Sequence, residues 1–427
     1  MAPKADLNPN VSGLTPSATV AINERSNALR SEGMDIFKLG LGQSPFPVPD
    51  SVVQRLQDCA HEKDYLPVAG LLELRQAVAN YHQRRAGVPY TADQVIVGPG
   101  SKELMFLLQL VFPGELLLPA PMWVSYEPQA HILGRSATCL HTSADQRWRL
   151  QPKQLEEHCK KDPSRPRLLF LTYPNNPTGT SYTADELTEL ATIARRYNII
   201  VMSDEIYGEL DHGGTYRTIA SSYPEGTISS SGLSKWCGAG GWRLGTFVVP
   251  EQLNTIRDAI VAVASETFTS TSAPIQYAAV RAFEGGDDID AYLVQSRRIL
   301  QALGNWIHTR LGQADVMTVA PEGGFYLFAD FTAHTESLHA RGITTGAELC
   351  ERLLQETGVA ILPGSCFGQG ETSLTTRLSY VNFDGAAALA SAAGVPEHTE
   401  LDERWLSQFC NRTLRATERL CAWVQQA

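Results

Sequence analysis

The segment Leu168-Leu-Phe-Leu-Thr-Tyr-Pro-Asn-Asn-Pro-Thr-Gly179 decides the architecture. It opens as a short apolar strand over 168–173 with no polar alternation, then breaks into a turn stiffened by two prolines and closed by a glycine. Residues 184–197 read as a helix, and 199–203 form a second unbroken apolar run. Strand, covering helix and strand, with neither strand alternating, is the pattern of a largely parallel sheet buried on both faces. The turn at 173–179 presents asparagines at the carboxyl end of its strand, where ligands gather in open α/β sheets.

The same alternation extends outward on the N-terminal side. A helix is expected over 17–30, an irregular glycine- and proline-punctuated loop over 39–49, helices over 71–84 and 102–111, and strands over 94–97 and 115–118. Beyond the centre, 281–310 reads as a long helix with Gly285 and Gly286 as its candidate break. Strands over 316–320, 324–331, 359–362 and 377–381 with a helix over 347–356 then make an α+β arrangement. A polar stretch at 396–404 leads into an amphipathic terminal helix over 405–424, whose expected role is to cap the small domain or a subunit contact.

Composition sets limits on function. With 427 residues, 43% hydrophobic and 19% charged, the chain suits one large or two medium globular domains, which excludes collagen, coiled coil and wholesale disorder. The net charge of −11 leaves no basic excess to neutralise phosphates, so a nucleic acid partner is not expected. No apolar stretch reaches the ~18 to 20 residues of a membrane span, and residues 1–13 lack the basic-then-apolar pattern of a secretory signal, so a cytoplasmic protein without membrane association is expected. The eight cysteines include no C-x-x-C pair and no histidine at zinc spacing. Reduced thiols and no metal site are expected.

The chemistry concentrates in Ser229-Ser-Ser-Gly-Leu-Ser-Lys-Trp-Cys-Gly-Ala-Gly-Gly-Trp-Arg-Leu-Gly245. Lys235 stands among small residues, and Arg243 follows eight positions later between Trp242 and Leu244. A nucleophilic lysine needs a crowded, desolvated setting that lowers its pKa and frees the amine to form an imine. Glycines and serines let backbone and ligand approach closely. Val201-Met-Ser-Asp-Glu-Ile-Tyr207 adds an apolar strand ending in a carboxylate, Asp204, with a phenol three residues on.

These three motifs, in this order, resemble those of the class I/II pyridoxal-phosphate aminotransferases, the aspartate aminotransferase family of fold type I. Further marks of that family lie at 16–23, at Leu39–Phe46, at Tyr65 with Gly70–Arg75, and at Gly100–Lys102. Others are Pro121-Met-Trp-Val-Ser-Tyr126, Gly323-Gly-Phe-Tyr326 and Arg377–Ser379, so the resemblance covers most of the chain. It implies an α/β protein: a three-layer αβα large domain over 48–300 with a mostly parallel sheet, and a smaller α+β domain built from 1–47 and 301–427. It also implies roles. Lys235 would hold pyridoxal 5′-phosphate as an imine and later move the substrate proton, and Asp204 would pair with the ring nitrogen. Tyr207 and Asn176 would bond the ring oxygen, and Trp123 would stack on the ring. The phosphate would sit on the N–H groups of Gly100, Ser101 and Lys102 at a helix N-terminus, with Arg243. Many relatives have a serine three residues before the lysine; here Gly232 stands there, so Ser231 or Ser234 is the expected substitute. Tyr65 matches a tyrosine that reaches the neighbouring subunit's phosphate, implying a homodimer with shared active sites.

Arg377 matches the arginine that takes the substrate α-carboxylate in a planar two-pronged contact. Gly42 fits the loop near the same carboxylate, and Phe325 is expected to line the substrate side. The reaction implied is amino transfer between an L-amino acid and a 2-oxo acid. Decarboxylases, β-lyases and cyclopropane-forming synthases of this fold keep the same residues, so the residues do not separate them. Ser17 and Lys102 resemble residues that receive a second carboxylate in the bacterial and plastid aspartate and prephenate subgroup. An aspartate or glutamate type of donor is therefore favoured over an aromatic or small neutral one, although Ser17 is equally suited to capping its helix.

Overall fold

The computed structural model describes residues 6–426. Its strands run in chain order as β1 (Phe37–Lys38), β2 (Val95–Gly98), β3 (Glu115–Ala120), β4 (Ala137–His141), β5 (Arg167–Thr172), β6 (Ile200–Asp204), β7 (Thr227–Gly232), β8 (Gly245–Val248), β9 (Tyr326–Asp330), β10 (Val359–Ala360), β11 (Leu362–Pro363) and β12 (Thr375–Ser379). Seven of these form one sheet in the order β2-β8-β7-β6-β5-β3-β4, in which β8 alone runs against its neighbours.

The apolar runs divide by face within this sheet, as the two-residue period of a strand requires. Leu168 and Phe170 of β5 join Leu116, Leu118, Ile200, Met202 and Phe247 in one buried cluster. Leu169 and Leu171 join Leu117 and Val201 in another. Helices Ser101–Val111 and Asn254–Glu266 cover the first face, and Pro152–Lys160 and Ala184–Arg196 cover the second, so the sheet is the middle of three layers. Helix Ala184–Arg196 begins where Thr183 and Glu186 close a capping box. Thr183 Oγ1 accepts from the Glu186 N–H at 3.2 Å, and the Glu186 carboxylate accepts from the Thr183 N–H at 2.7 Å.

The two ends of the chain meet beside this unit. β1 pairs in parallel with β10, and β11-β12-β9 make a separate antiparallel sheet. Leu414, Leu420, Trp423 and Val424 of the last helix share one buried cluster with Ile299, Leu303 and Leu353. The tail therefore caps this region of the fold.

Some local expectations are corrected. The helix expected over 281–310 does break at its candidate point, Gly285 and Gly286 with φ of 74° and 118°, but its first piece starts earlier, as Ala273–Glu284, before Asp287–Gly312 follows. The second runs through residue 300, where a domain boundary is expected; residues 1–5 and 427 of the expected smaller domain lie outside the described residues. The terminal helix is also two, Glu403–Phe409 and Asn411–Gln425, with buried Cys410 at the corner. Residues 316–320 form no strand, Met317 making only an isolated bridge to Asp330. Thr227-Ile-Ser-Ser-Ser-Gly232 carries almost no apolar signal, yet β7 is buried from end to end. No helix among the described residues is long and apolar enough to cross a membrane.

Candidate active site

Five segments leaving the carboxyl ends of β2, β3, β5, β6 and β7 close on one cavity of about 550 Å³. They bring Ser101 and Lys102, Trp123, Asn176, Asp204 with Tyr207, and Ser234 with Lys235 into its wall, and the loops carrying Gly42 and Arg243 complete it.

Lys235 donates from Nζ to the Gly42 carbonyl at 2.6 Å and lies 5.6 Å from the Tyr207 ring centroid. Burial, and then the nearby Arg377 guanidinium, lower its pKa to about 8. The amine is thus readily neutral and nucleophilic.

Asp204 ends β6 and is buried. It accepts from the Tyr126 hydroxyl at 2.6 Å and from the Ile206 N–H at 3.4 Å. Burial raises its pKa to about 6, against the lowering pull of the Tyr126 bond. An ionised carboxylate in such a place is stable only opposite a cation.

Asn176 Nδ2 donates to the Tyr207 hydroxyl at 3.5 Å, and its Oδ1 accepts from Arg377 Nη1 at 3.2 Å. The Tyr207 and Tyr326 hydroxyls are 2.8 Å apart. Arg377, on β12, is 1% exposed; its guanidinium lies over the Tyr326 and Phe367 rings and gives Nη2 to the Gly40 carbonyl. Its Nε is buried without a partner. A fixed guanidinium with an unused donor is a receptor for a planar anion.

The part of the cavity lined by Ser101, Lys102 and Arg243 could hold an anion. Ser101 and Lys102 open helix Ser101–Val111, where N–H groups have no acceptor within the helix. Gly100 is not a donor here, because its N–H goes to the Gly98 carbonyl at 2.7 Å. It shapes the turn instead: its φ is 94°, and a Cβ on it would lie 2.3 Å from Arg243 Nη2. A Cβ on Gly245 would likewise lie 2.1 Å from the Ser101 nitrogen. Arg243 is held by the carbonyls of Gly240 at 3.0 Å and Pro99 at 3.3 Å. A serine at 232 would have its Cβ 2.7 Å from the Leu244 carbonyl oxygen, so glycine is required there. Of the two candidate substitutes, Ser234 borders the cavity, whereas Ser231 is buried opposite Thr246 in the β7–β8 pairing.

The remaining expected site residues fall outside the cavity wall, and Arg377 reaches that wall only through its bond to Asn176. Phe325 is fully buried 5.6 Å from the Tyr207 ring and does not border the cavity; its neighbour Tyr326 carries the polar group of that motif to Tyr207. Ser17 makes no side-chain cap on its helix. Its Oγ is 3.2 Å from Thr19 Oγ1, in an adjoining space of about 840 Å³ that Lys102 and Trp123 also line. Tyr65 is 89% exposed. Tyr126 and Tyr326 are the partners that the sequence reading passes over. Both lie inside motifs it quotes, but a hydrogen bond to a residue 78 or 119 positions away leaves no mark in spacing.

A family model for aminotransferases of class I and II matches residues 34–388. The aspartate aminotransferase of Bacillus subtilis (strain 168) is 31% identical over 381 residues, covering 87% of this chain and 93% of that protein. The aspartate/prephenate aminotransferase of Cereibacter sphaeroides is 31% identical over 394 residues, covering 89% of this chain and 95% of its own. Among solved structures, the aspartate aminotransferase from Thermus thermophilus with maleate superposes with a TM-score of 0.81 at 28% identity, over 92% of this chain and 98% of that one.

Proposed function

The chain belongs to the class I and II aminotransferase family and works with pyridoxal phosphate, and we propose that it carries the amino group of aspartate or glutamate to a 2-oxo acid. The observation that carries the site assignment is the partnerless, buried Nε of Arg377, whose Nη1 donates to Asn176 in the wall of the cavity that also contains Lys235.

The residues fit the cofactor. Ser101 and Lys102 N–H groups and Arg243 would hold its phosphate, Asp204 its ring nitrogen, Asn176 and Tyr207 its ring oxygen, and Trp123 a face of the ring. Bound pyridoxal phosphate supplies an electron sink that makes the proton on the substrate α carbon removable. Arg377 binds the substrate carboxylate and fixes the α carbon. The Lys235 amine, already near neutrality, takes that proton from the α carbon and returns it elsewhere. The Tyr126 bond keeps Asp204 in its acceptor form.

Preference for a second carboxylate is supported by Lys102, Ser17 and Thr19 at or beside the adjoining space. The name of the Cereibacter relative, an aspartate/prephenate aminotransferase, favours the same dicarboxylic class. We read the assembly as a homodimer with shared sites, because Tyr65, Leu72 and Leu110 are large apolar or aromatic side chains left exposed. We divide the chain into a large domain over 48–300 and a smaller one from both ends, supported by the separate sheets. The eight free cysteines favour a reducing, cytoplasmic compartment.

The test is a single-turnover screen of twenty amino acids against the cofactor-loaded protein. Aspartate and glutamate should discharge the visible cofactor band, and the substitution Lys235→Ala should abolish that band altogether. Failure of both dicarboxylates while aromatic or small neutral amino acids succeed would refute the substrate assignment.

A further inference from the structure

One buried acid beside the site has no part in the reaction just described. Glu205 follows Asp204, is 2% exposed and does not border the cavity. Its Oε1 accepts from Ser203 Oγ at 2.7 Å, Thr218 Oγ1 at 2.5 Å and Ser229 Oγ at 3.4 Å, and its Oε2 accepts from the Tyr216 hydroxyl at 2.5 Å.

The direction of these bonds is set from outside. The Ile219 N–H donates to the Tyr173 hydroxyl at 2.9 Å, which leaves the Tyr173 proton for Ser203 Oγ, and the Ser203 proton for Glu205. The Ala220 N–H donates to Thr218 Oγ1 at 3.1 Å, so the Thr218 proton also goes to Glu205. Hydroxyl protons converge on one carboxylate, which is the only acceptor that can take all of them at once.

These partners sit where the catalytic segments begin. Tyr173 directly follows β5 and stands three residues before Asn176, Ser203 lies in β6 just before Asp204, and Ser229 lies opposite Ser203 in β7, on the way to Lys235. The Glu205 carbonyl also accepts from the Gly208 N–H at 2.8 Å, which fixes the turn bearing Tyr207.

We propose that Glu205 is a positioning residue, the shared acceptor that locks the ends of β5, β6 and β7 behind the cofactor and so fixes Asn176, Asp204, Tyr207 and Lys235 against it. The inference rests on the reading that this cavity binds pyridoxal phosphate. Glutamine at 205 can keep the three Oε1 bonds with its carbonyl and reverse the fourth, its amide donating to the Tyr216 oxygen. Leucine can keep none. The role is thus one of hydrogen bonding, not of net charge.

The experiment measures pyridoxal phosphate affinity, the pH midpoint of the bound cofactor's visible absorbance, and thermal stability in the wild type, Glu205→Gln, Glu205→Leu and Tyr173→Phe. Absence of the band in the wild type would overturn the cofactor reading itself. Given that band, Glu205→Leu should weaken cofactor affinity at least about tenfold and raise the midpoint, while Glu205→Gln stays within about twofold. Should Glu205→Leu fail to fold, Tyr173→Phe, which removes the bonds to Ser203 and the Ile219 N–H but none made by Glu205 itself, should still move the midpoint upward by a smaller amount. The proposal is overturned if Glu205→Gln behaves like Glu205→Leu. It is equally overturned if Tyr173→Phe, or a folded Glu205→Leu, leaves both affinity and midpoint unchanged.

Discussion

The buried Asp204 carboxylate predicts that Asp204→Asn will stabilise the cofactor-free protein while disabling it. Burial raises the folded-state pKa from 3.8 to about 6. Below pH 3.8 the carboxyl is protonated in folded and unfolded chains alike, so the substitution should change nothing. Between 3.8 and about 6 the unfolded chain has released its proton while the folded one retains it, and wild-type stability falls as pH rises. Above that range the folded protein carries a buried charge. At ~1.4 kcal/mol per pH unit, a gap of about two units costs about 3 kcal/mol. Asparagine escapes this cost, because its carbonyl can still accept from the Tyr126 hydroxyl. The attraction between Asp204 and Lys235 is already contained in the net shift, so the gain is about 3 kcal/mol. Melting of cofactor-free protein should show Asp204→Asn about 2 to 4 °C above the wild type at pH 8 and level with it near pH 3.5. Added pyridoxal phosphate should invert the order at pH 8, because only the carboxylate gains a cationic partner. A variant that melts no higher than the wild type at pH 8, or keeps its advantage at pH 3.5, would refute the reasoning.

Other consequences are equally direct. Arg377→Lys loses the planar two-pronged contact, so kcat/KM for the preferred donor should fall by about 10² to 10³ with the cofactor band intact; a change under tenfold would remove Arg377 from substrate binding. Gly245→Ala drives a Cβ to within 2.1 Å of the Ser101 nitrogen. It should weaken cofactor affinity by about tenfold or more while leaving a folded protein, measured by absorbance titration. Truncation before Pro396 removes Leu401, Leu406, Cys410, Leu414, Leu420, Trp423 and Val424 from the core. Soluble yield should collapse, and a stable, active truncated enzyme would show that these contacts are dispensable.

The central sheet was legible because its strands are apolar on both faces, so that Leu168–Leu171 and Val201–Met202 announce themselves without any knowledge of neighbours. β7 was not, because its buried serines are stabilised by partners distant in the chain, among them the Glu205 carboxylate and the paired strands on either side. The lysine, aspartate, asparagine and arginines of the site stood out through motif order. What spacing could not reveal was which atom each group serves. Gly100 looked like a donor and is a steric allowance, Phe325 looked like a wall residue and lies behind Tyr207, and Tyr126 drew no role although it holds Asp204.

The net charge of −11 gave no hint of the site's electrostatics, and the reason is instructive. Arg377, Arg243 and Lys102 all act on Lys235 to lower its pKa, in that order after burial, with Asp204 opposing them. These are the same three cations that stand ready for the anionic groups of cofactor and substrate. An acidic protein can thus hold a locally cationic cavity, whose mutual repulsion lowers the Lys235 pKa to about 8 and makes the amine easier to deprotonate. Each anion that binds cancels part of that repulsion, so the amine becomes a stronger base when a substrate carboxylate occupies Arg377. Anion recognition and proton transfer therefore share one set of charges, and moving any one of them should disturb both.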